Sequence, residues 1–526
     1  MPNLTRREFI KTTSLAALAF AATGLPLGNK VSAADNCTVK TRYGTFNGFV
    51  DENGVKTWLG IPYAQPPVGK LRWQPTQPLK PTNKTFDAKK FGASAIQEFD
   101  DIELASKNRQ SEDCLTLNIW KRSDKKNLPV MVFVHGGSFM HGGTIEPLYN
   151  GNNLAAAQDV VVVSFNYRLN IFGFMNFGVI DSAFDGTGHL GMEDQVAALT
   201  WVKENISAFG GNPDNVTIFG ESAGSISCTL LTVIPAAKGL FQKAIPESGN
   251  SRFVHDMDHA AKLTEDFIGL VGTRKMSDLM KKSAEELRDV YLKLFELRIK
   301  TAHSDFMPAC DGKYIPSDPF TAIKNGDARG VKLLTGVNSY EWGYWLLYDE
   351  NYFKDFHGTH EKISPVMERY KKHTSHGDEY VYRKWLNGRP DTDENYMDFI
   401  NQIDWRVGQE LDAENQSKFN DVYYYLFSEK SLREELGSFH SLELSFVFNK
   451  PFDDLLLEPN PKLVKQVQSS WAAFAATGNP NNEFIPHWEK YSVGNRQTME
   501  LNATACVCHK DLDTANLEAL RYVYES

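Results

Sequence analysis

Ser222 stands at the centre of Gly220-Glu221-Ser222-Ala223-Gly224, directly behind the apolar run Val216-Thr217-Ile218-Phe219. A β-branched strand running into Gly-x-Ser-x-Gly predicts a sharp strand-to-helix turn, in which the glycines allow a backbone approach that a Cβ would block. Such a turn lifts the serine hydroxyl out at the end of a strand. It also starts a helix whose first amides face a reacting carbonyl. The chemistry this allows is nucleophilic attack on an acyl group. The five-residue string alone is weak, but its context is right: a strand precedes it, and residues 223–227 can open a helix.

Acyl transfer through an alkoxide needs donors for the developing charge. His135-Gly136-Gly137-Ser138-Phe139 follows the apolar run Val130-Met131-Val132-Phe133-Val134. Glycines there let successive N–H groups converge on a substrate oxygen. Glycine pairs also mark ordinary βα turns, so the oxyanion reading draws its force from the elbow downstream. Hydrolases with this elbow place an acid and then a histidine after the serine. Ten of the 13 histidines follow Ser222, and position alone does not choose among them.

These groups need a rigid frame. Residues 115–120, 130–134, 160–165 and 216–219 read as strands, several of them apolar throughout and so buried on both faces. Residues 194–209 carry a helical stripe of Val196, Leu199, Val202 and Ile206. The alternation predicts an α/β fold with a mainly parallel sheet covered on both sides. Residues 43–49 and 55–60 alternate like a small antiparallel hairpin. Sheet character returns at 331–336 and 422–427. Two amphipathic, charged regions, about 253–325 and 348–418, read as helical insertions into one catalytic domain spanning 34–526.

Composition narrows the partners. The chain has 526 residues, is 42% hydrophobic and 23% charged, and carries a formal net charge of −10. That charge argues against nucleic acid or an anionic membrane surface. Thr5-Arg6-Arg7-Glu8-Phe9-Ile10-Lys11, a short apolar run and Val31-Ser32-Ala33 have the order of a cleaved twin-arginine export leader, residues 1–33. The run is too short to span a bilayer. The expected location is periplasmic or extracellular, with no stable membrane insertion after cleavage. Cys37, Cys114, Cys228, Cys310, Cys506 and Cys508 match no metal or haem spacing, and no cofactor or metal is expected.

The order of further blocks resembles the type-B carboxylesterase and cholinesterase-like branch of the α/β-hydrolases. They include Gly60-Ile61-Pro62-Tyr63-Ala64-Gln65-Pro66-Pro67-Val68-Gly69, Ser111-Glu112-Asp113-Cys114-Leu115-Thr116-Leu117-Asn118, Asn166-Tyr167-Arg168-Leu169 and Gly191-Met192-Glu193-Asp194-Gln195. Phe209-Gly210-Gly211-Asn212-Pro213, Gly478-Asn479-Pro480 and Pro486-His487-Trp488 continue the match.

The resemblance implies an α/β-hydrolase fold with a small N-terminal antiparallel sheet and large helical insertions. It implies oxyanion amides on Gly137, Ser138 and Ala223. It singles out His440 in Gly437-Ser438-Phe439-His440-Ser441-Leu442-Glu443-Leu444, and Glu341 beyond the strand Leu333-Leu334, as partners of Ser222. Asp349 and Glu350 are the rival carboxylates. Glu221, Asp194 and Ser248 are candidate supporting contacts or ordinary structural partners. Arg72 and Arg168 read as buried ion-pair residues, and His141 as a loop histidine. Trp342, Trp345, Tyr348 and Phe353 either wall a gorge or pack as core.

One departure stands out. The usual partner of Cys114 is expected near residues 94–97, where Ala95 stands, so the family's disulfide is not carried over. The expected activity is hydrolysis of small-molecule carboxylic esters. A catalytically inactive binding or adhesion protein is the alternative, as is a lipase or amidase using the same residues.

Overall fold

Strands that are apolar throughout have to be covered on both faces, and this requirement organises the chain. The computed structural model describes residues 37–99, 103–298, 306–347, 367, 370, 374–452, 457–512 and 514–525. The expected leader, residues 1–33, lies outside them, as do Tyr348, Asp349, Glu350 and Phe353. β1 (Thr38–Thr41), β2 (Gly44–Asn47), β3 (Phe49–Val50), β4 (Lys56–Pro62) and β5 (Thr85–Asp87) open the described chain. β6 (Thr116–Lys121), β7 (Leu128–Val134), β8 (Val161–Phe165), β9 (Gly211–Glu221) and β10 (Lys243–Glu247) follow. β11 (Lys332–Asn338), β12 (Val422–Phe427), β13 (Thr498–Leu501) and β14 (Val507–His509) complete the set.

The main sheet has 11 strands in the order β14-β13-β12-β11-β10-β9-β7-β8-β6-β4-β3. From β8 through β7 and β9 to β13 every pairing is parallel. β6 and β4 add antiparallel strands at one side, and β14 closes the other side in the same sense. Every residue of β8 and β12 is buried, as the apolar runs require. The helix Leu190–Asn205 covers one face, and the helix Pro461–Thr477 packs with residues of β7, β9 and β12 in the cluster on the other. This is the α/β-hydrolase architecture expected of the chain.

The N-terminal hairpin is divided between two sheets. β2 pairs antiparallel with β1 and parallel with β5 in a separate three-stranded sheet. Only Phe49 and Val50 pair with Thr57 and Lys56 to form the antiparallel edge of the main sheet. The helix predicted over 194–209 begins earlier, at Leu190, and ends in a 3₁₀ turn, Ile206–Phe209.

Candidate active site

The elbow forms where β9 leaves the sheet. Residues 216–221 and 223–234 are buried, whereas Ser222 between them is partly exposed. Its backbone sits at φ 58°, ψ −122°, a region that costs a non-glycine residue on the order of 1–3 kcal/mol. The surroundings impose it: the Ser222 N–H donates to the Glu247 carbonyl at 3.0 Å, and the Ser222 carbonyl accepts from Ile226 at 3.0 Å. A Cβ at Gly224 would lie 2.0 Å from the Val134 carbonyl oxygen, so only glycine lets the helix Ala223–Leu231 start against β7.

Glu341 and His440, far apart in sequence, meet at the carboxyl ends of β11 and β12. Glu341 begins a 3₁₀ turn, Glu341–Leu347, just beyond β11. Its Oε2 lies 2.6 Å from His440 Nδ1. Its Oε1 accepts from Ser248 Oγ at 2.6 Å and from the Asn338 N–H at 2.7 Å. The His440 N–H donates to the Glu341 carbonyl at 3.2 Å, which fixes the two loops together. Both side chains are buried. The second ring nitrogen, Nε2, lies 2.9 Å from Glu221 Oε1, close enough to pair as ions but off the axis of a hydrogen bond. Glu221 Oε1 also accepts from Ser441 Oγ at 2.6 Å.

Burial disfavours the charged imidazole, but the Glu221 and Glu341 carboxylates outweigh it and hold the His440 pKa above the ordinary histidine range. Two further glutamates surround this pair. Burial pushes the Glu443 and Glu247 carboxyls well above the usual carboxylate range, and the nearby Glu221 adds to the effect. Asn338 Nδ2 binds Glu443 Oε2 at 2.5 Å and the Phe439 carbonyl at 2.7 Å, linking the acid's strand to the histidine's loop.

The loop after β7 folds over the elbow. Gly137, Ser138 and Phe139 all have positive φ, at 103°, 54° and 57°. At Gly137 a Cβ would lie 2.1 Å from the His141 carbonyl oxygen. The Gly137 carbonyl accepts from Met140 and His141, closing a tight turn. A Cβ built on Gly136 would lie 3.2 Å from the Ser222 Cβ, which places this loop directly against Ser222. Among the described residues, no acceptor takes the backbone N–H of Gly137, Ser138 or Ala223. Gln97 braces the loop from behind, donating to the Gly142 carbonyl at 3.0 Å and accepting its N–H at 2.9 Å. Burial pushes His135 down to about 4, so it is neutral and structural.

The remaining candidates separate by geometry. Ser248 and Glu221 touch the Glu341–His440 pair, whereas Asp194 binds Arg168 in a buried fork at 2.8 and 2.9 Å. Arg72 pairs with Glu112. His141 lies 2.8 Å from Glu103. Trp342 is fully buried, while the Trp345 ring lies 5.7 Å from that of His440. Cys114 forms no disulfide. Asn338, Ser441, Glu443 and Trp405 were not picked out by the sequence reading. Ser441 and Glu443 sit inside the histidine block and Asn338 three residues before the acid, so proximity was the available signal. Nothing local marked Trp405.

Among the described residues, no group of three or more His, Cys, Asp or Glu side chains is arranged to hold a metal ion. No described helix is long and apolar enough to cross a membrane. A partly exposed serine, adjacent free amides and a buried carboxylate–imidazole pair are equipment for acyl transfer.

The carboxylesterase family profile matches residues 35–520. The chain is 38% identical to the para-nitrobenzyl esterase of Bacillus subtilis (strain 168) over 486 residues, covering 88% of this chain and 94% of that one. It is 34% identical to the liver carboxylesterase of Sus scrofa over 525 residues, covering 91% and 90%. A Geobacillus stearothermophilus carboxylesterase structure superposes with a TM-score of 0.81 at 33% identity, covering 92% of this chain and 100% of that one. Joined to the fold and the elbow, these matches show that the chain belongs to the carboxylesterase family and is a serine carboxylic-ester hydrolase.

Proposed function

We propose that Ser222, His440 and Glu341 form the catalytic triad, and that hydrolysis proceeds through an acyl-enzyme. The observation that carries this reading is the 2.6 Å contact between His440 Nδ1 and Glu341 Oε2, set beside the strained, partly exposed Ser222. With Nδ1–H held by Glu341, Nε2 is the nitrogen that takes the Ser222 proton as Oγ attacks the ester carbonyl. The Gly137, Ser138 and Ala223 amides then bind the oxyanion. In comparable sites one such donor is worth roughly 2.7–4 kcal/mol. The alcohol leaves with the proton from His440, and water resolves the acyl-enzyme by the same route.

Residues 34–526 are read as one catalytic domain. In the regions expected to be insertions, the described helices include Met257–Val271, Ala284–Arg298, Asp393–Asn401 and Val407–Ser417. The twin-arginine leader directs the enzyme out of the cytoplasm. Replacement of Ser222 by Ala tests the assignment: turnover of p-nitrophenyl acetate should fall by at least about 10⁴-fold. Undiminished turnover would sink it.

A further inference from the structure

An irregular turn lies above His440. Gln402–Arg406 form one turn of π-helix between the helices Asp393–Asn401 and Val407–Ser417. A π-turn inserts an extra residue into the helical ladder, redirects the side chains around it and diverts carbonyls from their usual partners. Side chains from distant parts of the chain bind the carbonyls of this turn. The Tyr524 hydroxyl donates to the Ile403 carbonyl, and Asn250 Nδ2 donates to that of Asp404 at 3.2 Å. Just upstream, Asn401 Oδ1 accepts the Trp342 N–H at 3.1 Å, tying the helix to the 3₁₀ turn that begins with Glu341.

The turn delivers Trp405. Its buried indole lies 4.5 Å, centroid to centroid, from the His440 imidazole, with the planes inclined by 44°. Phe253 backs it at 5.3 Å, nearly parallel. Trp345 and Tyr344 add a second and third ring at 5.7 and 6.0 Å from the imidazole. Filling the core would not require a π-turn, because an ordinary helix presents tryptophan equally well. His440, by contrast, needs lateral support. The Glu341 carboxylate holds Nδ1, but the ring can still swing about that contact. Glu221 Oε1, 2.9 Å from Nε2, also attracts the ring when it is protonated. A rigid ring packed against the imidazole resists that swing through close contact.

We propose that Trp405 is a positioning residue for His440: the π-turn holds its indole against the imidazole and so fixes the plane of the ring about its contact with Glu341. The proposal rests on the triad reading above. The test is steady-state hydrolysis of p-nitrophenyl acetate by the full chain, with thermal unfolding measured in parallel. Trp405→Leu should lower kcat tenfold or more while KM stays within threefold. Trp405→Phe, which restores a ring, should recover kcat to within threefold of the parent.

A Trp405→Leu protein that melts earlier but keeps the parent kcat per folded molecule would show a packing role only and overturn the proposal. If Trp405→Leu does not fold, Phe253→Leu decides. Loss of backing behind the indole should lower kcat several-fold at unchanged KM, and an unchanged kcat overturns the proposal. His440→Ala separates the two levels. Parent-like turnover of that variant sinks the triad itself, whereas an inactive His440→Ala beside a fully active Trp405→Leu removes only the role of Trp405.

Discussion

His440 lies between two carboxylates, Glu341 at Nδ1 and Glu221 at Nε2, and this pairing has a pH consequence. The imidazole works as a base only when neutral, so kcat/KM rises as pH rises through its pKa. Because both carboxylates favour the charged ring, that rise lies above the ordinary histidine range. Glu221→Gln removes the stronger attraction and should move the acid limb of the kcat/KM profile to lower pH by about one unit or more. A limb that stays in place or moves upward would contradict the geometry.

The upward effect of burial on the Glu247 and Glu443 carboxyls is also testable. Each carboxamide variant, Glu247→Gln or Glu443→Gln, mimics a protonated acid and should change unfolding stability by less than about 1 kcal/mol in denaturant titration at neutral pH. A larger loss would mean a buried charge had been removed. At this scale the proposed triad is legible because motifs carry its residues. Glu221 meeting His440, and Trp405 beside it, depend on loops brought together by folding, and no local spacing encodes such contacts.

Elements explain which parts of the fold could be read in advance. The apolar runs over β7, β8 and β12 announced themselves, since a strand buried on both faces admits few polar residues. β13 and β14 are not marked by the sequence because they are short, and β14 contains a half-buried cysteine and a histidine in place of an alternating pattern. The N-terminal hairpin was only partly legible. Alternation marks a strand but does not say which sheet it joins, and β2 and β3 part company within a few residues. The π-turn was invisible because its composition is that of the helices around it. The elbow makes a sharper prediction. Gly224→Ala drives a methyl group into the Val134 carbonyl. It should destabilise the protein by more than about 2 kcal/mol, with a marked fall in the unfolding midpoint. A fully stable Gly224→Ala protein would show that the helix does not start against β7 as described.

Across the whole molecule, parallel strands bring Ser222, Glu341, His440 and the glycine loop after β7 to one end of the sheet, at the carboxyl ends of β9, β11, β12 and β7. Crevices at that end are where open α/β sheets place their ligands. Chain order alone could not show this, because strand order departs from sequence order: β9 pairs with β7 and β10, and β8 lies beyond β7. The proposed leader belongs to this scale too. Replacing Arg6 and Arg7 together by Lys should retain the esterase in the cytoplasm, as fractionation of expressing bacteria would reveal; unchanged export would remove the twin-arginine assignment. The central claim is that Ser222 is the nucleophile. It is tested most directly by treating the protein with a fluorophosphonate and locating the adduct by peptide mass spectrometry. The account predicts stoichiometric modification on the peptide containing Ser222, abolished in Ser222→Ala together with esterase turnover. Modification at another residue, or an unlabelled protein that hydrolyses esters at the full rate, would contradict it.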